Sequence, residues 1–313
     1  MCGITGYIGD GIALDEDYEA GTAAGNGGVA SVGDIVHEGL RNLEYRGYDS
    51  AGVALVGETS GLTVAKRSGE VDNLTVPDVP DATLGVGHTR WSTHGPPTDA
   101  NAHPHTDCAG DVAVVHNGIV ENHEELKAEL SNHEFTSDTD TEVIPHLIEE
   151  ELAAESGADD LLDAVRTVED RLEGSYAICA VREGDDRIVV ARRGSPLVLG
   201  RGDDATFVAS DVTAFLEHTR DVTYLEDGDV AALSADGVEI YADGELVDRS
   251  VETVTWEADA AEKGGYEHYM RKEIHEQPES LRQTIAGRLD VDGGDVDLDV
   301  SFPPGFLADL EEI

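Results

Sequence analysis

Short apolar runs, a helical block and a second set of short apolar runs follow one another along the chain. From Cys2 to Ile8 the stretch is apolar, brief and β-like, which predicts a strand. Gly9 to Ala30, rich in Gly, Ala and acids, predicts a loop. Its GNGG at 25–28 lacks the spacing and the preceding strand of a phosphate cradle. Helical spacing begins after Ser31, an N-cap type, and places Ile35, Val36, Gly39, Leu40 and Leu43 on one face. Strands are then predicted at Ala51–Val56, Leu62–Arg67, Leu84–Thr89 and Val112–Ile119, the last two flanking a loop rich in His and Pro. Two helices, Asp140–Leu152 and Asp159–Leu172, open on acidic residues that suit a helix N-terminus.

After Gly174 the strand pattern returns, at Tyr176–Val181, Ile188–Ala191, Thr206–Ala209, Val230–Leu233, Val238–Tyr241 and Glu245–Val251. Strands grouped on both sides of a helical block predict an α+β fold with antiparallel sheets, not alternating βαβ units. From Trp256 the pattern is helical with a break at Pro278, then loop-like, and a new element opens near the end. The expected organisation is a first domain over 1–250 and, over 251–313, a linker with the first elements of a second.

Composition narrows the function classes. The 313 residues carry 67 acidic against 20 basic side chains, a formal net charge of -47. Such a surface repels phosphate backbones and anionic membranes, so neither nucleic acid nor membrane is expected as a partner. Acids spread over the whole chain, with Lys at only four positions, suggest a surface suited to high salt. No run reaches the ~18 apolar residues of a membrane span, and the N-terminus lacks a secretory pattern. A cytoplasmic protein is the expectation.

Cysteines occur at 2, 108 and 179, without CxxC or zinc-finger spacing. Cys179 lies in an apolar strand pattern and reads as inert, while Cys108 has no assignable role. The histidines at 88, 94, 103 and 105 lack helical ligand pairing, and the acids near Asp140 lack the EF-hand pattern, so no metal and no cofactor are expected. Cys2 stands apart by position. Removal of Met1 would leave it with a thiol and an α-amine of pKa ~7.7–8, a nucleophile and a base in one residue.

Six motifs follow in order: CGITGYIG, LEYRGYDSAG (43–52), GHTRWSTHG (87–95), NAHPH (101–105), VHNGIVENHEEL (115–126) and SDTDTEV (137–143). Together they resemble the class II glutaminase domain of the glutamine–fructose-6-phosphate aminotransferase (isomerizing) family, the glucosamine-6-phosphate synthases. The resemblance covers about 1–250, and residues 263–278 resemble that family's passage into its sugar-isomerase half. It implies an αββα sandwich of the N-terminal-nucleophile hydrolase type, two stacked antiparallel sheets between helical layers.

It also implies roles. Cys2 would attack the side-chain amide of L-glutamine, with Asn117 and the Gly118 N–H as the oxyanion hole. Arg90 would hold the glutamine carboxylate and Asp140 its amine. Thr93 and His94 would support the carboxylate end, Trp91 would belong to a lid, and Arg46 would shape the N-terminal site. The implied partners are glutamine and a sugar-isomerase domain with a fructose 6-phosphate site, in cis or as a separate chain; a homodimer is also compatible. Two departures stand out: segment 10–30 is longer than the family pattern, and the two phosphosugar-binding domains do not lie within these 313 residues. The competing readings are a phosphoribosyl-pyrophosphate amidotransferase-like glutaminase and a catalytically silent glutamine- or partner-binding module.

Overall fold

The apolar runs on either side of the helical block are buried on both of their faces, and that fixes a four-layer arrangement. The computed structural model describes residues 2–13, 29–92, 95–154, 157–202, 205–235 and 237–255, with scattered positions between 271 and 296. Along the chain come β1 (Gly3–Gly9), α1 (Val32–Asn42), β2 (Ser50–Gly57), β3 (Gly61–Ser68), β4 (Ala82–Arg90), β5 (His105–Thr106) and β6 (Val112–Val120). The helices α2 (His123–Glu129), α3 (Val143–Ala153) and α4 (Leu161–Glu169) follow. The second strand set is β7 (Gly174–Arg182), β8 (Ile188–Arg193), β9 (Val198–Arg201), β10 (Ala205–Ala209), β11 (Asp221–Tyr224), β12 (Asp229–Ser234), β13 (Gly237–Ala242), β14 (Glu245–Val247) and β15 (Glu252–Thr253).

One sheet has the order β15-β11-β9-β10-β1-β4-β2-β3, the other β14-β13-β12-β8-β7-β6-β5. Their pairings are antiparallel. Alternation along the strands builds three apolar layers. In β6 and β7, Ala113, Val115, Ala177, Cys179 and Val181 face the other sheet, meeting Ile4, Ile8 and Val86. The alternate residues Val112, Val114, Tyr176 and Ile178 face Leu126, Ile144, Leu147 and Val165 of the helices. On the far side, Ile35, Val36 and Leu40 of α1 cover Tyr7, Val53 and Phe207. This is the expected α+β sandwich.

Local signals are obeyed where the backbone itself reads them. Ser31 caps α1 through a reciprocal capping box with Asp34, the two bonds being 3.2 and 3.0 Å. Asp160 caps α4 by accepting from the Asp163 N–H. The helix expected at Asp140 opens there as a 3-10 turn over Asp140–Glu142 and becomes α-helical at Val143, while the two acids of that turn serve donors elsewhere. Asp140 accepts the Val120 N–H, and Glu142 accepts N–H and hydroxyl groups from Thr136 and Ser137.

Five elements escaped the patterning, among them the two-residue strands β5 and β15. The short α2 buries only Leu126, and β9 and β11 have four residues each, too few for a period to emerge. At the other extreme the strand expected to reach Val251 ends at Val247. Sheet pairing then resumes at β15, and Val254 is buried, so this fold extends just past residue 250. Trp256 and most of the expected helical tail lie outside the described residues. No described helix is long and apolar enough to cross a membrane.

Candidate active site

β1 begins next to the place where β4 ends. Gly3 pairs with Thr89, so Cys2 comes to lie beside Arg90 and Trp91. The start of β1 also meets the end of β10, where Ile4 and Ser210 exchange hydrogen bonds of 3.0 Å. The second sheet supplies Asn117 and Gly118 from β6. A cleft of about 290 Å³ opens here, and Cys2, Arg90, Trp91, Gly118 and Asp140 all line it.

Cys2 is half-buried and held through its backbone. Its carbonyl accepts from Arg46 Nε at 3.1 Å and from Asn117 Nδ2 at 3.1 Å. Arg46 is in turn anchored by Asp211, 3.3 Å away, which also accepts from the Tyr45 hydroxyl. The sulphur accepts the Trp91 N–H at 3.3 Å. Burial pushes the thiol pKa up, while the Trp91 hydrogen bond and the Arg90 and Arg46 guanidinium groups oppose that shift. A thiol in this setting needs a base to become an efficient nucleophile.

Asn117 is oriented by His88. The His88 Nε2–H lies 3.0 Å from Asn117 Oδ1 and 3.1 Å from the His116 carbonyl, two acceptors that fix this nitrogen as the protonated one. The Asn117 amide therefore turns its NH₂ toward Cys2, with one hydrogen on the Cys2 carbonyl and the other available. Gly118 sits at φ +123, and a side chain there would collide with the Ser175 carbonyl. Only glycine suits this position.

The charged pair of the cleft is buried as well. Arg90 is 4% and Asp140 5% exposed. Arg90 donates to the Gly95 and Pro96 carbonyls at 3.4 and 3.5 Å and feels the charges of Asp140 and Asp49. Trp91 is 45% exposed at the rim, edge-on to Tyr48. Thr93 and His94 lie outside the described residues. The sequence reading passed over Thr139 and Thr141, which also line the cleft; their signal was adjacency to Asp140 in one motif. Asp211, which fixes Arg46, carried no local signal at all.

The histidines form a wall of hydrogen-bonded rings. His88 stacks on His103 at 4.1 Å, Thr139 bridges to His105, and Thr141 to His116. Burial lowers all three pKa values of His88, His103 and His105, that of His88 to about 3. The sign of the linkage follows. Unfolded imidazoles bind protons near pH ~6.5, the folded ones only far lower, so stability is full above ~6.5 and declines as pH falls. For His88 the loss runs at about 1.4 kcal/mol per pH unit down to about 3. The thermal midpoint, measured in molar KCl, should therefore drop steadily from pH ~6.5 to ~5, where most carboxylates remain ionised. A level midpoint across that window would contradict a neutral histidine wall.

Comparison with known proteins gives a consistent family signal. Residues 88–217 match the glutamine amidotransferase domain family. The chain is 56% identical to the glutamine–fructose-6-phosphate aminotransferase [isomerizing] of Halobacterium salinarum, over 100% of this chain and 48% of that protein. It is 48% identical to the protein of the same name in Streptomyces coelicolor, again over 100% of this chain and 48% of the relative. The chain thus spans about half the length of the curated relatives it matches. Among solved structures, it resembles the glutamine phosphoribosylpyrophosphate amidotransferase of B. subtilis, with a TM-score of 0.60 at 25% identity over 80% of this chain and 50% of the other. A structure described as the allosteric regulatory enzyme of purine biosynthesis follows, at TM-score 0.59 and 26% identity over 77% of this chain and 49% of the other.

Proposed function

We propose that this chain is a glutamine amidotransferase domain that hydrolyses L-glutamine at Cys2 and yields ammonia for a sugar phosphate acceptor. The observation that carries the reading is the convergence of Cys2, Arg90, Gly118 and Asp140 on one cleft, with Asn117 turned toward Cys2.

With Met1 removed, the Cys2 α-amine takes the thiol proton as sulphur bonds to the side-chain carbonyl carbon of glutamine. The carbonyl electron pair moves onto oxygen, where Asn117 Nδ2 and the Gly118 N–H receive it. Collapse re-forms the carbonyl and breaks the C–N bond, and the amine returns its proton to the departing nitrogen. Ammonia leaves and a γ-glutamyl thioester remains. Water then attacks the thioester by the same route, releasing glutamate and restoring the thiol. Arg90 meets the glutamine α-carboxylate and Asp140 the α-ammonium, so the zwitterion is matched at both charges.

For the acceptor, the relatives at 56% and 48% identity are named for fructose 6-phosphate, against 25% for the phosphoribosylpyrophosphate amidotransferase and 26% for the enzyme of purine biosynthesis. Fructose 6-phosphate, aminated on a sugar-isomerase domain in cis or on a separate chain, is the reading we adopt.

The test is direct. In molar KCl, the chain given glutamine should release glutamate and ammonia in equal amounts, and mass spectrometry of the N-terminal peptide should show Met1 absent and a transient γ-glutamyl adduct on Cys2. Vigorous turnover by protein that retains Met1 would sink the mechanism, since the base would then be an amide.

A further inference from the structure

Cys108, left without a role by the sequence, ends in a cluster with His133, His146 and Glu149, whose ligand atoms all lie within 4.8 Å of one another. None of the four lines the Cys2 cleft. They come from three places: Cys108 from the turn between β5 and β6, His133 from the segment after α2, and His146 and Glu149 from successive turns of α3. The expectation of no metal rested on local spacing, and this set offers only the i, i+3 pair His146 and Glu149.

We infer that these four side chains form a structural zinc site. The distances have the required scale. Ligands 2.0–2.3 Å from a tetrahedral zinc lie roughly 3.3–3.6 Å from each other. Here the Cys108 sulphur is 3.6 Å from His133 Nδ1 and 3.7 Å from His146 Nδ1. Glu149 Oε2 is 3.2 Å from His133 Nδ1 and 3.6 Å from His146 Nδ1. Four edges of a tetrahedron are thus already set.

The chemistry agrees with the geometry. One thiolate, two neutral imidazoles and one carboxylate present two negative charges to a divalent ion, and the mix of sulphur and nitrogen favours zinc over magnesium or calcium. On His133 the far nitrogen lies 3.4 Å from a Glu150 carboxylate oxygen, the partner that commonly orients a metal-bound imidazole. On His146 the nitrogen turned to the cluster is Nδ1, in contact with both Cys108 and Glu149, while the far nitrogen is buried without a partner among the described residues. Cys108 is exposed, which leaves a route for the ion. Four protein ligands fill a tetrahedral shell, the mark of a structural rather than a catalytic zinc. Such a clamp ties the strand after the histidine wall to the helix that follows Asp140, independently of any glutamine chemistry.

The experiment must separate this site from the acidic surface. The chelator-treated 313-residue chain, held in molar KCl with millimolar Mg²⁺ to occupy exposed carboxylates, is titrated with Co²⁺ and then with Zn²⁺. One equivalent of Co²⁺ should give the intense visible bands of a tetrahedral centre and a near-ultraviolet thiolate-to-cobalt band, both abolished by one equivalent of Zn²⁺. Cys108→Ser, at an exposed position, should keep the wild-type circular dichroism and lose the thiolate band; Glu149→Gln should weaken binding at least tenfold. Weak octahedral spectra in the wild type, or retention of metal unchanged in both variants, would overturn the site. Should Cys108→Ser fail to fold, the wild-type cobalt spectrum alone decides.

Discussion

Cys2→Ala should release no ammonia from glutamine above background, a loss of ~10⁴-fold or more by analogy with removal of other catalytic nucleophiles. No other described residue offers a thiol at the cleft, since Cys108 lies elsewhere and Cys179 is sealed between the sheets. The fold should survive. Arg46 and Asn117 grip the Cys2 carbonyl, which alanine keeps, and the lost sulphur was only half-buried. Arg90 and Asp140 are untouched, so glutamine should still bind. Ammonia release, calorimetric glutamine binding and the thermal midpoint check the three claims together. Residual turnover above about a hundredth of wild type would place the nucleophile elsewhere.

Asn117→Ala is expected to cost ~10²–10³ in kcat with little change in KM, the signature of a donor that acts mainly on the developing oxyanion. Removal also deprives the His88 Nε2–H of one of its two acceptors, a modest cost because the His116 carbonyl remains 3.1 Å away. Arg90→Ala supplies the contrast. In its proposed role the guanidinium meets a carboxylate that does not change charge during the reaction, so its loss should raise KM far more than it lowers kcat. Steady-state kinetics of both variants separate the roles. Parallel changes in both constants for both variants would refute the division of labour.

Much of the site was legible because its signals are local. HNG, HTRW and DTDTE each place a functional group beside a turn or strand end within a few residues, and position 2 marks the cysteine by itself. Asp140 shows the limit. Read locally, it opens a helix, as it does; only the fold shows its carboxylate accepting the Val120 N–H at the cleft. Asp211 shows it further, holding Arg46 from 165 residues away with nothing in its surroundings to announce it.

The sequence alone determined the period of the strands, the capped start of α1 at Ser31, the antiparallel α+β class and the ordered motifs around Cys2. These depend on backbone preferences and side-chain alternation, which a few neighbouring residues set. The tertiary structure decided which strand ends meet, and so which side chains share a cleft: Cys2 with Arg90 through the β1–β4 pairing, and Asn117 with Cys2 through the stacking of the two sheets. It also gathered Cys108, His133, His146 and Glu149 from three separated segments. Strand order and sheet stacking are settled by burial of apolar faces over long sequence separations, and no local pattern encodes that choice.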